Sequence, residues 1–364
     1  MSQRLCLPLP EAPGAAAAGG KAASLGELTR AGLRVPPGFV VTTGAFAAAM
    51  AVIDPDGRRR AGIGALSPDD LAAITATAGQ FRERVTAAAL PAPVAAAITA
   101  AYAGLAADAP PGGATQAGGG PLVAVRSSAT MEDSAEASFA GLQGTYLAIR
   151  DTRGVLDAVR RCWASLYSDE SVAYRRRGGL PEPPAAMAVV VQVMVSPRAA
   201  GVMFTRSPVT GDRSVVAIEA TWGLGSVLVS GDVTPDSFTV SKVTGEITAR
   251  RICPKAITHS LIHNETGPRV TETPAARRDQ PCLTDDEIRA LATVAGPVEA
   301  RFGTPQDIEW AVLGGDAPAA DRVVLLQSRP ETAWAARDAA RKAPVATPRR
   351  RAADHVLSLF ARPL

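Results

Sequence analysis

Apolar and polar positions recur along this chain with two periods, and each change of period marks an element. Leu122 to Val125 is a short apolar run that predicts a strand ending at Arg126, followed by small hydroxyl residues and two acids. Val35-Pro-Pro-Gly-Phe-Val-Val-Thr-Thr43 reads as a turn into a buried strand. Ala186-Met-Ala-Val-Val-Val-Gln-Val-Met-Val195 has the β-branched density of a strand covered on both faces, interrupted only by Gln192. Pro305-Gln-Asp-Ile-Glu-Trp-Ala-Val312 and Val323-Val-Leu-Leu-Gln-Ser-Arg-Pro330 both alternate, which predicts the two strands of a hairpin around a long loop. Period two puts Asp307 and Glu309 on one face of the first strand, and Gln327 and Arg329 on one face of the second.

Helical spacing governs most of the remainder. Gly19-Gly20-Lys21 opens an amphipathic pattern with Leu25 and Leu28 on one face. Residues 45–107 are alanine-rich and helical, and Ser67-Pro68-Asp69-Asp70 supplies an N-cap serine, a proline in the first turn and early acids. Asp108 to Gly120 reads as an exposed Pro/Gly/Ala linker. Arg150 to Gly178 predicts a helical pair anchored by Trp163, Leu166 and Tyr167, with Arg175-Arg176-Arg177 as its solvated end. Residues 334–364 carry Arg349-Arg350-Arg351 and a small apolar end, and read as a basic, disordered tail.

Composition narrows the class. A chain of 364 residues, 47% hydrophobic and 20% charged, can bury a large core in two lobes. A net charge of +3 and an aromatic content of 4% do not supply the concentrated charge and stacking rings of nucleic-acid binders. Cys6, Cys162, Cys253 and Cys282 form no C-x-x-C pair and read as reduced thiols. His259, His263 and His355 match no zinc spacing. Pro8, Pro10 and Glu11 interrupt any signal-peptide core, and the longest apolar run, Ala185 to Val195, is too short for a bilayer. The expectation is a soluble, cytoplasmic protein.

Several residues carry candidate chemistry, each with an ordinary alternative. The Ser/Thr/Gly stretch after Arg126, up to Gly141, Gly144 and Thr145, is either a connecting loop or a phosphate cradle, with Arg126 supplying forked charge. Lys21 is a surface lysine or a cation beside a helix start. Gln192 needs hydrogen-bond partners if buried, or faces solvent. Asp307, Glu309, Gln327 and Arg329 form either a salt-bridged hairpin or oxygen ligands and positive charge for a magnesium-bound triphosphate.

The run Val125-Arg-Ser-Ser-Ala-Thr-x-Glu-Asp133, with Ala137-Ser-Phe-Ala-Gly141 and Thr145-Tyr-Leu147, resembles the nucleotide-binding domain of one family. That family holds phosphoenolpyruvate synthase, pyruvate phosphate dikinase and the rifampin phosphotransferases. Gly19-Gly-Lys-x-x-x-Leu-Gly-Glu-Leu28, Val-Val-Val-Gln-x-Met-Val195, Val202 to Gly211, Ile218 to Gly225, Ser230 to Asp236, Asp-Ile-Glu-Trp310 and Gln-Ser-Arg-Pro330 extend the resemblance over residues 14–333. It implies an α/β (α+β) ATP-grasp fold, with one lobe over residues 1–190, a second over 191–333 and the nucleotide between them. It implies ATP contacts by Lys21, Arg126, Gly141, Thr145, Gln192, Glu309, Gln327 and Arg329. Within that set, Arg126 and Arg329 would be catalytic, Glu309 and Gln327 would hold Mg²⁺, and Gln192 would face the adenine. Ser226 departs from the pattern, because the family usually has Glu directly after Gly-Leu-Gly. No histidine lies in a phosphohistidine context, and His259 reads as surface. The implied activity is that of an ATP-binding dikinase subunit, which phosphorylates a histidine on a separate carrier protein and releases AMP and phosphate. A separate substrate-binding subunit and a small-molecule acceptor are the other implied partners. A non-catalytic nucleotide-binding regulatory subunit, and an ATP-grasp ligase or kinase acting directly on a small molecule, are the alternatives.

Overall fold

The computed structural model describes residues 4–107, 120–130, 133–134, 137–138, 144–179, 186–262, 267–332, 334–335 and 337–338. Residues up to Glu331 form one compact unit. In it, β1 (Cys6–Pro8) leads to α1 (Ala15–Arg30), β2 (Gly38–Val41) and four helices, α2 (Thr43–Ile53), α3 (Arg58–Gly64), α4 (Leu71–Ala87) and α5 (Ala92–Ala107). Then come β3 (Val123–Ala129), the two-residue strands β4 (Asp133–Ser134) and β5 (Ala137–Ser138), β6 (Thr145–Ile149), α6 (Asp151–Ser165), α7 (Asp169–Arg177) and β7 (Met187–Val193). The chain continues through β8 (Pro197–Phe204), β9 (Val215–Trp222), α8 (Ser226–Val229), β10 (Asp236–Ser241), β11 (Ile247–Arg251), β12 (Ile257–Leu261) and β13 (Pro268–Glu272). It closes with α9 (Ala275–Arg278), α10 (Asp285–Phe302), β14 (Gln306–Leu313), α11 (Ala319–Arg322) and β15 (Val323–Pro330).

The fold is mixed α and β, built on two sheets. The first has the order β1-β2-β7-β3-β6, the second β11-β10-β9-β8-β14-β15, and every pairing in them is antiparallel. β7 is buried at every position and lies wholly within the first sheet, so the change of sheet falls after Val193. Helices α2 and α4 to α7 cover that sheet through a core containing Phe46, Phe81, Trp163 and Tyr167. Phe46 meets Trp163, and Phe81 meets Tyr167, edge to face at 5.8 and 4.6 Å. Helix α10 covers the second sheet with Ile288, Leu291, Ala295 and Val298. It starts at a capping box formed by Thr284 and Glu287 and ends at Gly303 in the left-handed conformation, which a glycine adopts without strain.

Several local expectations need correction. Arg126 lies inside β3, not at its end, because pairing with β7 continues to Ala129↔Met187. Helix α4 is capped by Asp70, whose carboxylate accepts the Ala73 N–H at 2.9 Å. Ser67 belongs to the turn before it. Arg175 is not solvated: it is 1% exposed and donates to the Leu166 carbonyl at 2.7 Å, while Arg176 is half-buried and Arg177 exposed. The linker at 108–119 and the tail from 339 onward lie outside the described residues. Among the described residues no single helix is long and apolar enough to cross a membrane.

A candidate nucleotide site

The site forms where β3 of the first sheet meets the β14–β15 hairpin of the second. Register places Glu309 opposite Gln327 and Asp307 opposite Arg329, with a bulge after Glu309. From β3, Arg126 reaches across to both strands. Its Nη2 donates to Glu309 Oε2 at 2.7 Å and to Gln327 Oε1 at 2.6 Å, and its Nη1 donates to the Leu326 carbonyl at 3.1 Å. Its Nε is buried with no hydrogen-bond partner, so one donor of the fork is unused. The structure thus brings Arg126 together with Glu309 and Gln327, which lie 183 and 201 positions away from it in sequence.

The same contacts test whether a cation suits the site. Two oxygens, one from a carboxylate and one from an amide, converge within 2.7 Å on a single positively charged nitrogen. All-oxygen donors are what magnesium prefers, and these two side chains supply them. Glu309 and Gln327 fit Mg²⁺ on this ground.

One register step along the hairpin, Arg329 Nε lies 3.3 Å from Asp307 Oδ2, and the Arg329 side chain is 43% exposed. Arg329 is therefore on the rim, beside the cluster. Thr145 sits opposite Arg126 on β6 and is exposed, while Gly144 N–H is held by Ser165 Oγ at 3.0 Å. Gly141 lies outside the described residues. Gln192 is 3% exposed in the middle of the first sheet, and its Nε2 donates to the Pro36 carbonyl at 3.2 Å. Lys21 follows a break in α1 at Gly19, where φ is +72°. His259 corrects the surface expectation: it is 9% exposed, and its Nδ1 lies 2.9 Å from Ser226 Oγ, the hydroxyl standing where the family pattern has Glu.

Asp307, on the hairpin beside Glu309, stands next to this cluster. Burial, with the Glu331 carboxylate adding repulsion, pushes its pKa up to about 6 against the pull of Arg329. One of its oxygens, Oδ1, is buried without a hydrogen-bond partner. A raised carboxyl pKa means the folded state holds its proton longer than the unfolded chain. Stability contributed by the group is therefore full below about pH 4, declines as pH rises toward 6, and is constant above that. Asp307→Asn should be more stable than the native chain at pH 7 by up to ~3 kcal/mol, with the difference vanishing near pH 4. Urea unfolding of both proteins between these pH values measures it, and parallel curves would show that Asp307 ionises normally.

Known proteins resemble this chain over most of its length. The family model described as "Pyruvate phosphate dikinase, AMP/ATP-binding domain" matches residues 15–350. A rifampicin phosphotransferase of a Streptomyces species is 43% identical over 337 residues, covering 91% of this chain and 36% of that protein. A probable phosphoenolpyruvate synthase of Methanothermobacter thermautotrophicus is 40% identical over 317 residues, 86% of this chain and 44% of that protein. The prodigiosin synthesizing transferase PigC of Serratia marcescens is 41% identical over 319 residues, 87% of this chain and 32% of that protein. This chain spans less than half the length of each of these relatives. It belongs to the pyruvate phosphate dikinase AMP/ATP-binding domain family.

Proposed function

We propose that this protein binds Mg-ATP between its two sheets, in an ATP-grasp arrangement, and passes the β,γ-pyrophosphoryl group to a histidine on a separate carrier, releasing AMP; water then cleaves that group to phosphohistidine and free phosphate. The observation that carries the reading is the convergence of Arg126, Glu309 and Gln327 from two sheets on one point. A guanidinium, a carboxylate and an amide oxygen in that arrangement can exchange partners: the oxygens turn to a metal while the guanidinium turns to phosphate. Magnesium held by Glu309 and Gln327 would supply charge neutralisation on the phosphates. Arg126 and Arg329 would bind the transferring group from two sides, and Lys21 would approach from the break in α1. Gly141 and Thr145 would line the cradle, and Gln192 would be the adenine-side residue through the strand it anchors.

The three relatives carry names with three different products or acceptors, while matching this chain almost equally well. The nucleotide half of the reaction is therefore what this domain would contribute, and the final acceptor would be chosen elsewhere. Soluble, cytoplasmic operation is part of the same proposal.

Resolving nucleotide products tests it. The chain with Mg-ATP alone should form almost no product, because the acceptor imidazole is absent and water is excluded on closure. Adding a family phosphohistidine domain as a separate protein should yield AMP and an acid-labile phosphate on that domain. ADP formed by the chain with a small substrate would establish a direct kinase or ligase. Binding of Mg-ATP without any AMP in the presence of the domain would make it a regulatory nucleotide binder, the role that Ser226 favours.

A further inference from the structure

Helix α1 does more than present Lys21. It is broken at Gly19, where φ is +72° and ψ 165°, and restarts with Gly20-Lys21-Ala22. The break is filled from β3. Ser128 Oγ accepts the Ala22 N–H at 3.2 Å and donates to the Ala18 carbonyl at 3.0 Å, so one hydroxyl satisfies a backbone group on each side of the gap. Ser128 is fully buried, and a Cβ at position 19 would lie 1.9 Å from its carbonyl oxygen, which is why only glycine fits there. Period two puts Ser128 on the same face of β3 as Arg126. The strand that carries the guanidinium therefore also fixes the turn that carries Lys21.

The other side of the helix grips the second sheet. Ser24 Oγ donates to the Ser328 carbonyl at 2.7 Å, and Ser328 lies between Gln327 and Arg329 on β15. Ser328 Oγ in turn donates to Gln306 Oε1 at 2.9 Å, on the neighbouring strand. One helix thus touches β3 within two residues of Arg126 and β15 next to Gln327 and Arg329, with Lys21 between the two backbone groups that Ser128 holds.

We infer that Ser128 and Ser24 are positioning residues for the triphosphate: they clamp α1 to both strands and so set the spacing of Lys21, Arg126 and Arg329 before nucleotide arrives. This rests on the ATP reading proposed above. Neither hydroxyl is assigned a contact with nucleotide; each acts through the groups it places. The consequence is selective. Loosening the clamp should harm recognition of the β- and γ-phosphates and leave the adenosine end unaffected.

The experiment is calorimetric titration of the full chain and its Ser128→Ala and Ser24→Ala variants with Mg-ATP and, separately, with AMP. Ser128→Ala leaves a buried N–H and a buried carbonyl unsatisfied and should weaken Mg-ATP binding about tenfold or more, with AMP affinity unchanged. Ser24→Ala, which removes a part-buried donor and keeps the helix break intact, should do the same more mildly; it carries the test if Ser128→Ala does not fold. Mg-ATP affinity unchanged in the variants, or ATP and AMP affinities falling together, would overturn the inference. Native protein with no preference for Mg-ATP over AMP would instead remove the triphosphate reading on which it rests.

Discussion

Arg126→Ala is expected to weaken Mg-ATP binding by about 10- to 100-fold, the loss that follows from removing a charge-assisted hydrogen bond worth about 1.5–3 kcal/mol. Phosphoryl transfer should fall further, by about 10²–10³-fold, as it does when a preorganised donor to developing charge is deleted. The contacts of Arg126 add a sign that a simple loss of contact does not predict. Arg126 Nη2 holds both Glu309 and Gln327, so it competes with any cation for their oxygens. Deleting the guanidinium should therefore raise the affinity for Mg²⁺ alone while lowering it for Mg-ATP. Arg126→Lys should not restore transfer, because an ammonium lacks the planar fork that reaches both strands and pairs with phosphate through two parallel N–H bonds. Titrating native and variant protein with Mg²⁺ and with Mg-ATP separates these effects. Equal Mg-ATP affinity in the two proteins would take Arg126 out of the site.

How much of this could be read from the chain depends on which physical signal each feature leaves. The β14–β15 hairpin was legible because period-two alternation fixes a face, and the register Glu309↔Gln327 follows once the strands pair. The helices over the first sheet were legible from spacing, although Asp70 displaced Ser67 as the cap because its carboxylate reaches the Ala73 N–H in the first turn. The meeting of Arg126 with Glu309 leaves no periodic trace, since it joins two sheets across a sequence separation of 183. Resemblance pointed to the same residues as contacts of one nucleotide; the direct bonds from Arg126 to Glu309 and Gln327 are seen only in the fold. Burial of charge was the hardest to read. Arg175 looks like the first of three solvated arginines, yet it is buried and donates to the Leu166 carbonyl. His259 looks like surface, yet a backbone bridge to Gly223 draws it inward onto Ser226. The break in α1 was half visible: Gly19-Gly20 announces a departure from helix, but nothing in the pattern says that a serine more than a hundred positions away will fill it.

Asp236 sits in the Ser230 to Asp236 run that resembles the family's nucleotide domain, yet its surroundings assign it to stability. Its carboxylate and the Lys255 ammonium are both 0% exposed and 2.5 Å apart. Asp236 Oδ1 also accepts the Cys253 N–H at 3.0 Å, and Oδ2 accepts the Cys282 N–H at 2.9 Å. Lys255 Nζ donates in addition to the Cys253 carbonyl at 2.7 Å. One carboxylate thus ties β10 to the segments that lead into β12 and α10. Breaking a buried pair from one side strands the other charge, at a cost of about 3–5 kcal/mol. The two sides are not equivalent. Lys255→Met leaves a carboxylate that still accepts two backbone N–H groups, so its loss should fall near the lower figure. Asp236→Ala leaves an ammonium with one carbonyl and orphans both N–H groups, so its loss should reach or exceed the higher one. Asp236→Leu combined with Lys255→Met should recover part of the difference, because an apolar pair of similar volume carries no desolvation penalty. Urea unfolding of the three variants measures the order, and a loss below ~1 kcal/mol for Asp236→Ala would mean that the pair is not closed to water. Mg-ATP titration of folded Lys255→Met completes the argument: native affinity there places this motif in the scaffold of the site, whereas a matching fall in affinity would move it into the site itself.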